Sequence, residues 1–267
     1  HKERGYYGMV RPERSFEKDK LMVEIYRDRP AMGQAAAACA ARKMRELLEE
    51  RESINVAFAA APSQNEFLQA LIEEDGIDWQ RVRGFHLDEY LGLPSDAPQR
   101  FRVFLDEHIF SKVDFMEVHY LRGDTGSPEQ EAQRYSDLMR KYPLDIAFIG
   151  IGENGHIAFN DPPVADFADP HLVKIVTLDG KCRRQQVNDG CFPSIDKVPT
   201  QALTLTIPAV MSAKFIYCMV PGKTKQEAVK ETIQGKIGTH CPATILRTHD
   251  AAILYLDQDS ANLVPKS

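Results

Sequence analysis

A histidine in a glycine-rich loop is the residue of this sequence best suited to proton transfer. The loop, residues 152–161, follows the apolar run of residues 144–149. Glycines let a backbone approach a ligand closely, and imidazole exchanges protons near neutral pH. His156 is therefore a candidate catalytic residue, and the polar residues beside it, Asn154 and Asp161, can orient its ring.

Two adjacent carboxylates, Asp88 and Glu89, follow another apolar segment, residues 82–87. Neighbouring residues on a strand point to opposite faces, so one carboxylate can line a cleft while the other braces the backbone. The alternation does not by itself show which of the two is catalytic. A carboxylate shielded from water and close to a substrate carbon can abstract a proton from it. The pair therefore offers a base for abstracting a proton from carbon, in addition to the proton exchange that His156 can perform.

Three further side chains are candidates for binding an anion such as phosphate. Arg183 follows the apolar segment 174–178, and Lys225 opens a predicted helix, where free amide groups and the helix dipole favour an anion. Ser63 ends the small-residue turn of residues 59–63, where it can cap the next helix or touch a phosphate. Each residue alone is more often a surface or capping group, so their shared position after strands is what makes them candidates.

The segments that must position these residues alternate between strands and helices. Predicted strands cover residues 21–26, 54–60, 82–87, 118–121, 144–150, 174–178, 202–206, 214–220 and 251–256, and predicted helices cover residues 32–50, 66–74, 99–109, 129–141 and 225–234. This alternation is typical of an α/β fold, a three-layer α/β/α sandwich with a mostly parallel, Rossmann-like sheet. Ligands bind beyond the carboxyl ends of such strands, where Ser63, Asp88 and His156 fall. Residues 1–267 are predicted to form a single domain.

The composition argues against several classes of protein. The 267 residues suffice for a large core, and the formal net charge of −6 argues against non-specific binding to nucleic acid or acidic membranes. No apolar stretch approaches the length of about 18 residues that a membrane span needs, and residues 1–4 lack the core of a signal peptide. The five cysteines are scattered without a CxxC pair, so neither a metal site nor a disulfide framework is indicated and a reducing, cytoplasmic location is expected.

Residues 150–155 match the dinucleotide fingerprint G-x-G-x-x-G, and Asp179 follows the next predicted strand. That fingerprint needs a helix directly after its third glycine, because the helix N-terminus holds the pyrophosphate. Here Pro162 and Pro163 stand where that helix would run, and proline does not fit inside a helix. NAD binding is therefore not expected.

With these residues assembled, the chain resembles the glucosamine-6-phosphate deaminase (isomerase) family, which shares a superfamily with the 6-phosphogluconolactonases. The resemblance covers most of the chain. Its strongest markers are Leu-Asp-Glu-Tyr-Leu-Gly-Leu at residues 87–93 and the loop at residues 152–161. Lactonases typically read Gly-Pro-Asp-Gly-His-Thr-Ala-Ser in that loop, where this chain has Gly-His-Ile-Ala-Phe-Asn, so the resemblance favours a deaminase.

The resemblance implies a reaction without metal or cofactor, in which glucosamine 6-phosphate and water give fructose 6-phosphate and ammonia. Asp88 matches the base that moves a proton between C2 and C1, and His156 matches the group that assists ring opening. Arg183 and Lys225 match the phosphate ligands. The other expected site residues are, as partners of the histidine, Asn154 and Asp161, and, as substrate contacts, Ser63, Glu89 and Gly155.

Three features depart from the usual pattern of that family. Many deaminases have Asp where this chain has Asn154, and Glu where it has Asp161. Asn154 can hydrogen-bond the imidazole but cannot stabilise an imidazolium by charge, so the pKa of His156 is expected to be lower than in a relative with Asp. The turn at residues 60–63 reads Ala-Ala-Pro-Ser, where many members are richer in glycine. These differences predict that the chain belongs to a divergent subfamily.

Other functions stay open at this point. A phosphosugar lactonase would need only His156 as a base for water, and an isomerase of galactosamine 6-phosphate would use the same residues as the deaminase. A non-catalytic sugar-phosphate sensor would predict a helix-turn-helix segment, for which the sequence before residue 21 is too short. The expected setting is N-acetylglucosamine and other amino-sugar catabolism, with a small sugar phosphate as partner. Some relatives are hexamers with an allosteric site and others are smaller, so a homo-oligomer is possible.

Overall fold

The protein is built around a large, mostly parallel sheet, in a computed structural model that describes residues 10–266. Residues 1–9, which include the start examined above for a signal peptide, and residue 267 lie outside the described residues. The strands are β1 (Arg14–Lys18), β2 (Leu21–Tyr26), β3 (Ile54–Phe58), β4 (Val82–His86), β5 (Asp88–Tyr90), β6 (Glu117–His119), β7 (Ile146–Ile149), β8 (Val173–Thr177), β9 (Gln201–Leu205), β10 (Phe215–Val220) and β11 (Ala252–Asp257). The α-helices are α1 (Arg29–Glu50), α2 (Asn65–Ile72), α3 (Phe101–Leu105), α4 (Pro128–Lys141), α5 (Gly180–Asn188), α6 (Ile207–Met211) and α7 (Gln226–Gln234).

Eight of the described strands form the main sheet, in the order β1-β2-β11-β10-β7-β3-β4-β6. Neighbouring strands are parallel except β1 and β2, which pair in antiparallel fashion. Strand β1 is not predicted from the sequence, because Arg-Ser-Phe-Glu-Lys contains a single apolar residue. Separate hydrophobic cores lie on the two faces of the sheet, which confirms the predicted three-layer α/β/α sandwich.

Successive residues of β7 pack against opposite layers. Phe148 lies in the core of the first face, against Phe58 and against Phe67 of α2. Ile149 lies in the core of the second face, which also contains Tyr135 of α4. Both side chains are fully buried, as expected for a parallel strand that is covered on both faces.

Three strands form a separate antiparallel sheet, in the order β5-β9-β8. Residues 174–178 and 202–206, which are predicted as strands, therefore belong to this small sheet and not to the main sheet. A single residue, Leu87, separates β4 of the main sheet from β5 of the small sheet. The Leu87 carbonyl accepts a hydrogen bond of 2.8 Å from the Leu205 amide. The chain thus changes sheets at the carboxyl end of β4 and carries Asp88 over that end.

The segment between β7 and β8 contains no helix over residues 150–172, all of which the structure describes. This agrees with the rejection of a dinucleotide site. Helix α5 follows β8 and is not predicted from the sequence, and the helix predicted at residues 99–109 is instead the short α3 continued by a π-helix, Asp106–Phe110. Among the described residues, no helix combines the length and the apolar character needed to cross a membrane.

Candidate active site

A cavity lies beyond the carboxyl ends of β3, β4 and β7, where ligands of parallel sheets bind. The residues lining it are Ala59, Ala60, Ala61, Ser63, Leu87, Asp88, Phe101, Gly150, Ile151, Gly152, His156, Ala158, Phe159, Gln185, Gln186 and Lys225. Four residues of the predicted site therefore meet there: Ser63, Asp88, His156 and Lys225. A larger cavity of about 530 Å³ lies beside α1 and β2, but it contains none of the predicted site residues.

Asp88 lines the cavity from strand β5, and 7 % of its surface is exposed. Burial raises the pKa of this carboxyl well above its usual range, and the nearby charges of Glu89 and Asp161 raise it further. A carboxylate with a raised pKa holds a proton more strongly than an ordinary aspartate. Asp88 is therefore suited to take a proton from a substrate carbon.

The imidazole of His156 is held from its Nδ1 side. Nδ1 lies 2.5 Å from the side-chain oxygen of Asn154 and 3.3 Å from Oδ1 of Asp161. The backbone amide of His156 also donates to the Asn154 oxygen, at 3.0 Å. The ring is thus fixed on one side, and the residue lines the cavity with Nε2 uninvolved in these contacts.

Asn154 also contacts Asp179, which the sequence singles out only as part of the rejected dinucleotide fingerprint. Its side-chain nitrogen donates to Oδ2 of Asp179 at 2.9 Å and to Oδ1 of Asp161 at 3.3 Å. The backbone amide of Asp179 in turn donates to Oδ2 of Asp161 at 2.9 Å. The two carboxylates and the amide therefore form a network behind His156.

His156 is a neutral imidazole at physiological pH. Burial, and to a smaller degree the charge of Lys225, lowers the pKa of His156 to about 3. Burial raises the pKa of Asp161 to about 6, although hydrogen bonds from Asp179 and Asn154 oppose this rise. The contact between His156 and Asp161 is consequently a hydrogen bond rather than an ion pair, and the neutral imidazole is able to accept a proton.

Lys225 brings a positive charge into the cavity, immediately before α7. Its Nζ donates to the Ile151 carbonyl at 2.9 Å, and burial lowers the pKa of this ammonium group. Among the residues that the structure describes, it forms no salt bridge with a carboxylate. Because a buried charge is stable only with a partner, an anionic substrate group is expected beside Lys225.

Gln186 is a cavity residue that sequence reasoning missed. Its exposed fraction is 7 %, and its side-chain amide forms no hydrogen bond within the described part of the chain. The neighbouring Gln185 is occupied, because its oxygen accepts a bond of 2.7 Å from the Glu153 amide. Gln186 could have been identified from the face of its helix that turns towards the site, but α5 is not predicted from the sequence.

Arg183 lies away from the cavity, although it is predicted to bind phosphate. Its Nη2 donates to the carbonyls of Ile195 and Val198, at 2.9 and 3.0 Å, and the residue borders a different groove that includes Leu91 and Pro199. Gln185 and Gln186 of the same helix face the cavity instead. The position of Arg183 therefore does not support a contact with the substrate.

Glu89 and Gly155 also lie outside the cavity lining, in contrast to the expectation that they contact the substrate. The Glu89 carboxylate accepts hydrogen bonds from the backbone amides of Tyr90, Phe101 and Arg102, at 2.9–3.1 Å. It thus braces the start of α3, as the alternation of side chains allowed for one member of the pair. Gly155 has a φ of +81°, which favours glycine, and a Cβ there would lie 2.5 Å from a cysteine sulfur.

One group of described residues has the atoms to hold a metal ion. Ligand atoms of His156, Asp161 and Cys182 lie within 4.8 Å of one another. The Nδ1 of His156 and the Asp161 carboxylate are already engaged with Asn154, and burial raises the pKa of the Cys182 thiol well above its usual range. Since metal ions bind the thiolate, this group acts as a hydrogen-bond network for the histidine.

The fold and the cavity define an α/β enzyme whose site has groups suited to proton transfer: a buried carboxylate, a neutral imidazole and a lysine without a carboxylate partner among the described residues. Within that class the family is shown directly. The chain belongs to the family described as glucosamine-6-phosphate isomerases/6-phosphogluconolactonase, whose model matches residues 27–255. The resemblance seen in the sequence is confirmed.

Curated relatives and solved structures agree with this family. The chain is 38 % identical over 191 residues to glucosamine-6-phosphate deaminase of Exiguobacterium sibiricum, covering 72 % of this chain and 74 % of the relative. It is 39 % identical over 202 residues to glucosamine-6-phosphate deaminase 1 of Giardia intestinalis, covering 74 % of each. A solved monomeric glucosamine-6-phosphate deaminase superposes with a TM-score of 0.82 at 30 % identity, over 90 % of this chain and 99 % of that one. A 6-phosphogluconolactonase of Thermotoga maritima has a TM-score of 0.72 at 22 % identity, over 89 % of this chain and 99 % of that one, and shows the fold alone.

Proposed function

We propose that this protein is a glucosamine-6-phosphate deaminase, a hydrolase that converts glucosamine 6-phosphate and water to fructose 6-phosphate and ammonia. The observation that carries the proposal is that Asp88, His156 and Lys225 line one cavity. The curated relatives named above bear the same activity in their names. The proposed setting is the cytoplasm, in the catabolism of N-acetylglucosamine and related amino sugars. The free cysteines of the described chain support a reducing compartment.

The phosphate of the substrate binds beside Lys225 in this proposal. A phosphate supplies the negative charge that the buried ammonium group lacks, and hydrogen bonds between charged partners are the strong kind. Ser63 lines the same cavity with its hydroxyl group, and Gln186 contributes an amide without a protein partner. One cation and two neutral polar groups therefore hold the anion.

His156 opens the sugar ring. Its Nε2 accepts the proton of the C1 hydroxyl group while the bond between C1 and the ring oxygen breaks, and the imidazolium formed then gives this proton to the ring oxygen. The product is an open-chain aldehyde. A neutral imidazole with Nδ1 hydrogen-bonded to Asn154 can start this step, because Nε2 then carries a free electron pair.

Asp88 then moves the proton that makes the reaction an isomerisation. Its carboxylate removes the proton from C2, the electron pair shifts towards C1, and the C1 oxygen takes a proton from the ammonium group at C2 to give an enolamine. Return of the proton to C1 leaves an imine at C2. Water adds to this imine, ammonia leaves, and fructose 6-phosphate remains.

The test is an assay of ammonia and fructose 6-phosphate formed from glucosamine 6-phosphate, without added metal. Galactosamine 6-phosphate and 6-phosphogluconolactone are assayed in parallel. Ammonia from glucosamine 6-phosphate supports the proposal, and ammonia only from the galacto substrate would reassign the substrate. Lactone hydrolysis without any ammonia would contradict a deaminase.

The replacement Asp88→Asn is expected to reduce deamination by about 10²- to 10⁴-fold, the usual contribution of a general base. The matched control is Asp137→Asn, which removes an exposed carboxylate of α4 and is expected to keep full activity. Retention of deamination in Asp88→Asn would show that another group removes the C2 proton.

A further inference from the structure

Asp179 occupies the N-cap position of α5 but does not cap that helix with its side chain. Aspartate is among the preferred N-cap residues because its side-chain oxygen accepts a bond from an amide of the first turn. Here Oδ2 of Asp179 instead accepts a hydrogen bond of 2.9 Å from the side-chain nitrogen of Asn154. The carboxylate is thus directed at the loop of His156 rather than at its own helix.

The donors and acceptors of this network fix the orientation of the Asn154 amide. An ionised carboxylate only accepts hydrogen bonds, whereas an amide has one accepting and one donating end. The carboxylates of Asp179 and Asp161 lie 2.9 and 3.3 Å from the Asn154 nitrogen, and together they can accept both of its hydrogens. The Asn154 oxygen must therefore face His156, whose Nδ1 lies 2.5 Å away.

This orientation determines which nitrogen of the histidine carries the proton. Because the Asn154 oxygen only accepts, Nδ1 of His156 must be the N–H group. The other nitrogen, Nε2, is then the unprotonated one. A reversed Asn154 amide would present its NH₂ group to Nδ1, which would move the proton to Nε2 and remove the acceptor.

We propose that Asp179 is a positioning residue that fixes the Asn154 amide and thereby holds His156 as the Nδ1–H tautomer. A carboxylate at position 154 would accept from Nδ1 in either orientation of its side chain, so it would need no such partner. The role of Asp179 is therefore a consequence of Asn154. The catalytic readout of this inference rests on the proposed deaminase function, but the tautomer does not.

Several charged or titratable groups surround this network and must be considered together. Asp161, Asp179 and Cys182 lie behind the ring, and Asp88 and Lys225 line the cavity with it. Asp161 accepts as a carboxylate only above its pKa of about 6. The tautomer is therefore to be measured above that pH, where both carboxylates accept hydrogen bonds.

The first measurement is the protonation of the His156 ring nitrogens by ¹⁵N NMR of histidine-labelled protein, assigned with His156→Gln. The wild-type protein is expected to show protonated Nδ1 and unprotonated Nε2. Asp179→Asn, which preserves a good N-cap residue, is expected to give a mixture of both tautomers. Its kcat should fall roughly ten- to hundredfold, the size of loss found when the hydrogen-bond partner of a metal-binding histidine is replaced, with KM changed less than about twofold.

The second measurement is a rescue by Asn154→Asp in the Asp179→Asn background. The carboxylate at position 154 accepts from Nδ1 without orientation by residue 179, and the loss of charge at 179 relieves repulsion. The double variant is expected to restore the Nδ1–H tautomer and to recover at least about tenfold in kcat over Asp179→Asn, as coupled residues do in a double-mutant cycle.

Two results would overturn the inference. One is an unchanged His156 tautomer in a folded Asp179→Asn protein. The other is the absence of any recovery in the double variant, which is the result expected if Asp179 only supports the start of α5. Asp137→Asn serves as the control for loss of a carboxylate elsewhere. If the wild-type protein shows no deamination, the NMR measurements still decide the role of Asp179, so the two proposals fail separately.

Discussion

The two residues proposed to move protons have pKa values displaced in opposite directions by the same cause. Burial raises the pKa of Asp88 and lowers the pKa of His156, because it disfavours the charged form of each. Histidine is thus available as a neutral acceptor at any physiological pH, whereas Asp88 must first lose a proton. The amino group of the substrate, when protonated, favours that loss, because a nearby positive charge lowers the pKa of a carboxyl group.

These shifts predict the pH dependence of the reaction. Asp88 accepts a proton only when ionised, so kcat/KM is expected to rise with pH through the raised pKa of Asp88, with a midpoint well above 3.8. Below that midpoint the rate should fall about tenfold per pH unit. His156, with a pKa of about 3, contributes no change between about pH 5 and pH 8. Profiles of kcat/KM and kcat from pH 4 to 9 (about the range in which the fold is expected to persist) test this.

Substrate binding separates the two profiles. Because the substrate cation lowers the pKa of Asp88 in the complex, the acid limb of kcat should lie at lower pH than that of kcat/KM. The coupling of Asp88 with Glu89 and Asp161 means that each limb reports the group of carboxyls. Activity that is constant down to about pH 4 would contradict a buried base.

At the scale of elements, the face of α5 decides which of its side chains can reach the substrate. Arg183 is held by two carbonyls outside the cavity, while Gln186 lines it without a partner. Gln186→Met, which removes the amide at similar volume, is expected to raise KM by at least about tenfold with kcat nearly unchanged, since a hydrogen bond to a charged group contributes about 1.5–3 kcal/mol. Steady-state kinetics measure this.

The matched control for that variant is Gln133→Met, on the exposed side of α4. It should leave both kinetic constants unchanged. A fall in kcat of Gln186→Met without a change in KM would argue against a role in binding. An unchanged KM for both variants would indicate that the amide of Gln186 does not contact the bound substrate.

The loop that carries His156 tolerates no side chain at its first glycine, Gly152. A Cβ at Gly152 would lie 1.8 Å from Cε1 and 2.4 Å from Nε2 of His156, so the ring would have to move. Gly152→Ala is expected to lower kcat by about 10²-fold or more, because small misplacements of catalytic groups are costly. Gly126→Ala meets nothing within 4 Å and is the control. Normal activity in Gly152→Ala would mean that the ring position is not critical.

The sequence predicts most strands of both sheets but misses the two with few apolar residues, β1 and β5. Strand β7 is continuously apolar, so it is recognisable as a strand buried on both faces. Strand β5 is the tripeptide Asp-Glu-Tyr, one residue after β4, too short and too polar for a periodic pattern. Helix α5 contains few apolar residues, so neither the helix nor its faces can be assigned. The sequence therefore does not show that Gln186, rather than Arg183, lines the cavity.

The site residues also differ in how far the sequence predicts them. Asp88 and His156 are predictable because each stands in a distinctive motif directly after an apolar strand. Asp179 is not, because its contact with Asn154 spans 25 positions of the sequence and depends on where α5 begins. The alternation of carboxylates predicts one catalytic and one bracing residue, but the hydrogen bonds of Glu89 are needed to tell which is which.

For the whole molecule, the described surface favours a monomer. The large apolar side chains exposed there are Met116, Ile195 and Ile237, each in a different connection, and a stable oligomer needs a contiguous apolar patch. Sedimentation equilibrium is expected to give a mass near 30.1 kDa, without change on adding glucosamine 6-phosphate. A multiple of that mass would show an oligomer and contradict this expectation.

Strand β9 contacts both Asp88 and the loop that carries His156. Thr204 pairs with Asp88, and its hydroxyl accepts a hydrogen bond of 3.0 Å from the Phe159 amide, while the Leu205 carbonyl accepts one of 2.8 Å from Asn160. The separation of base and histidine is therefore set by one strand that lies outside the main sheet. A brief detachment of this strand is expected to abolish catalytic activity while most of the protein stays folded. Hydrogen exchange at the β9 amides thus reports the fraction of molecules competent for turnover, independently of global unfolding.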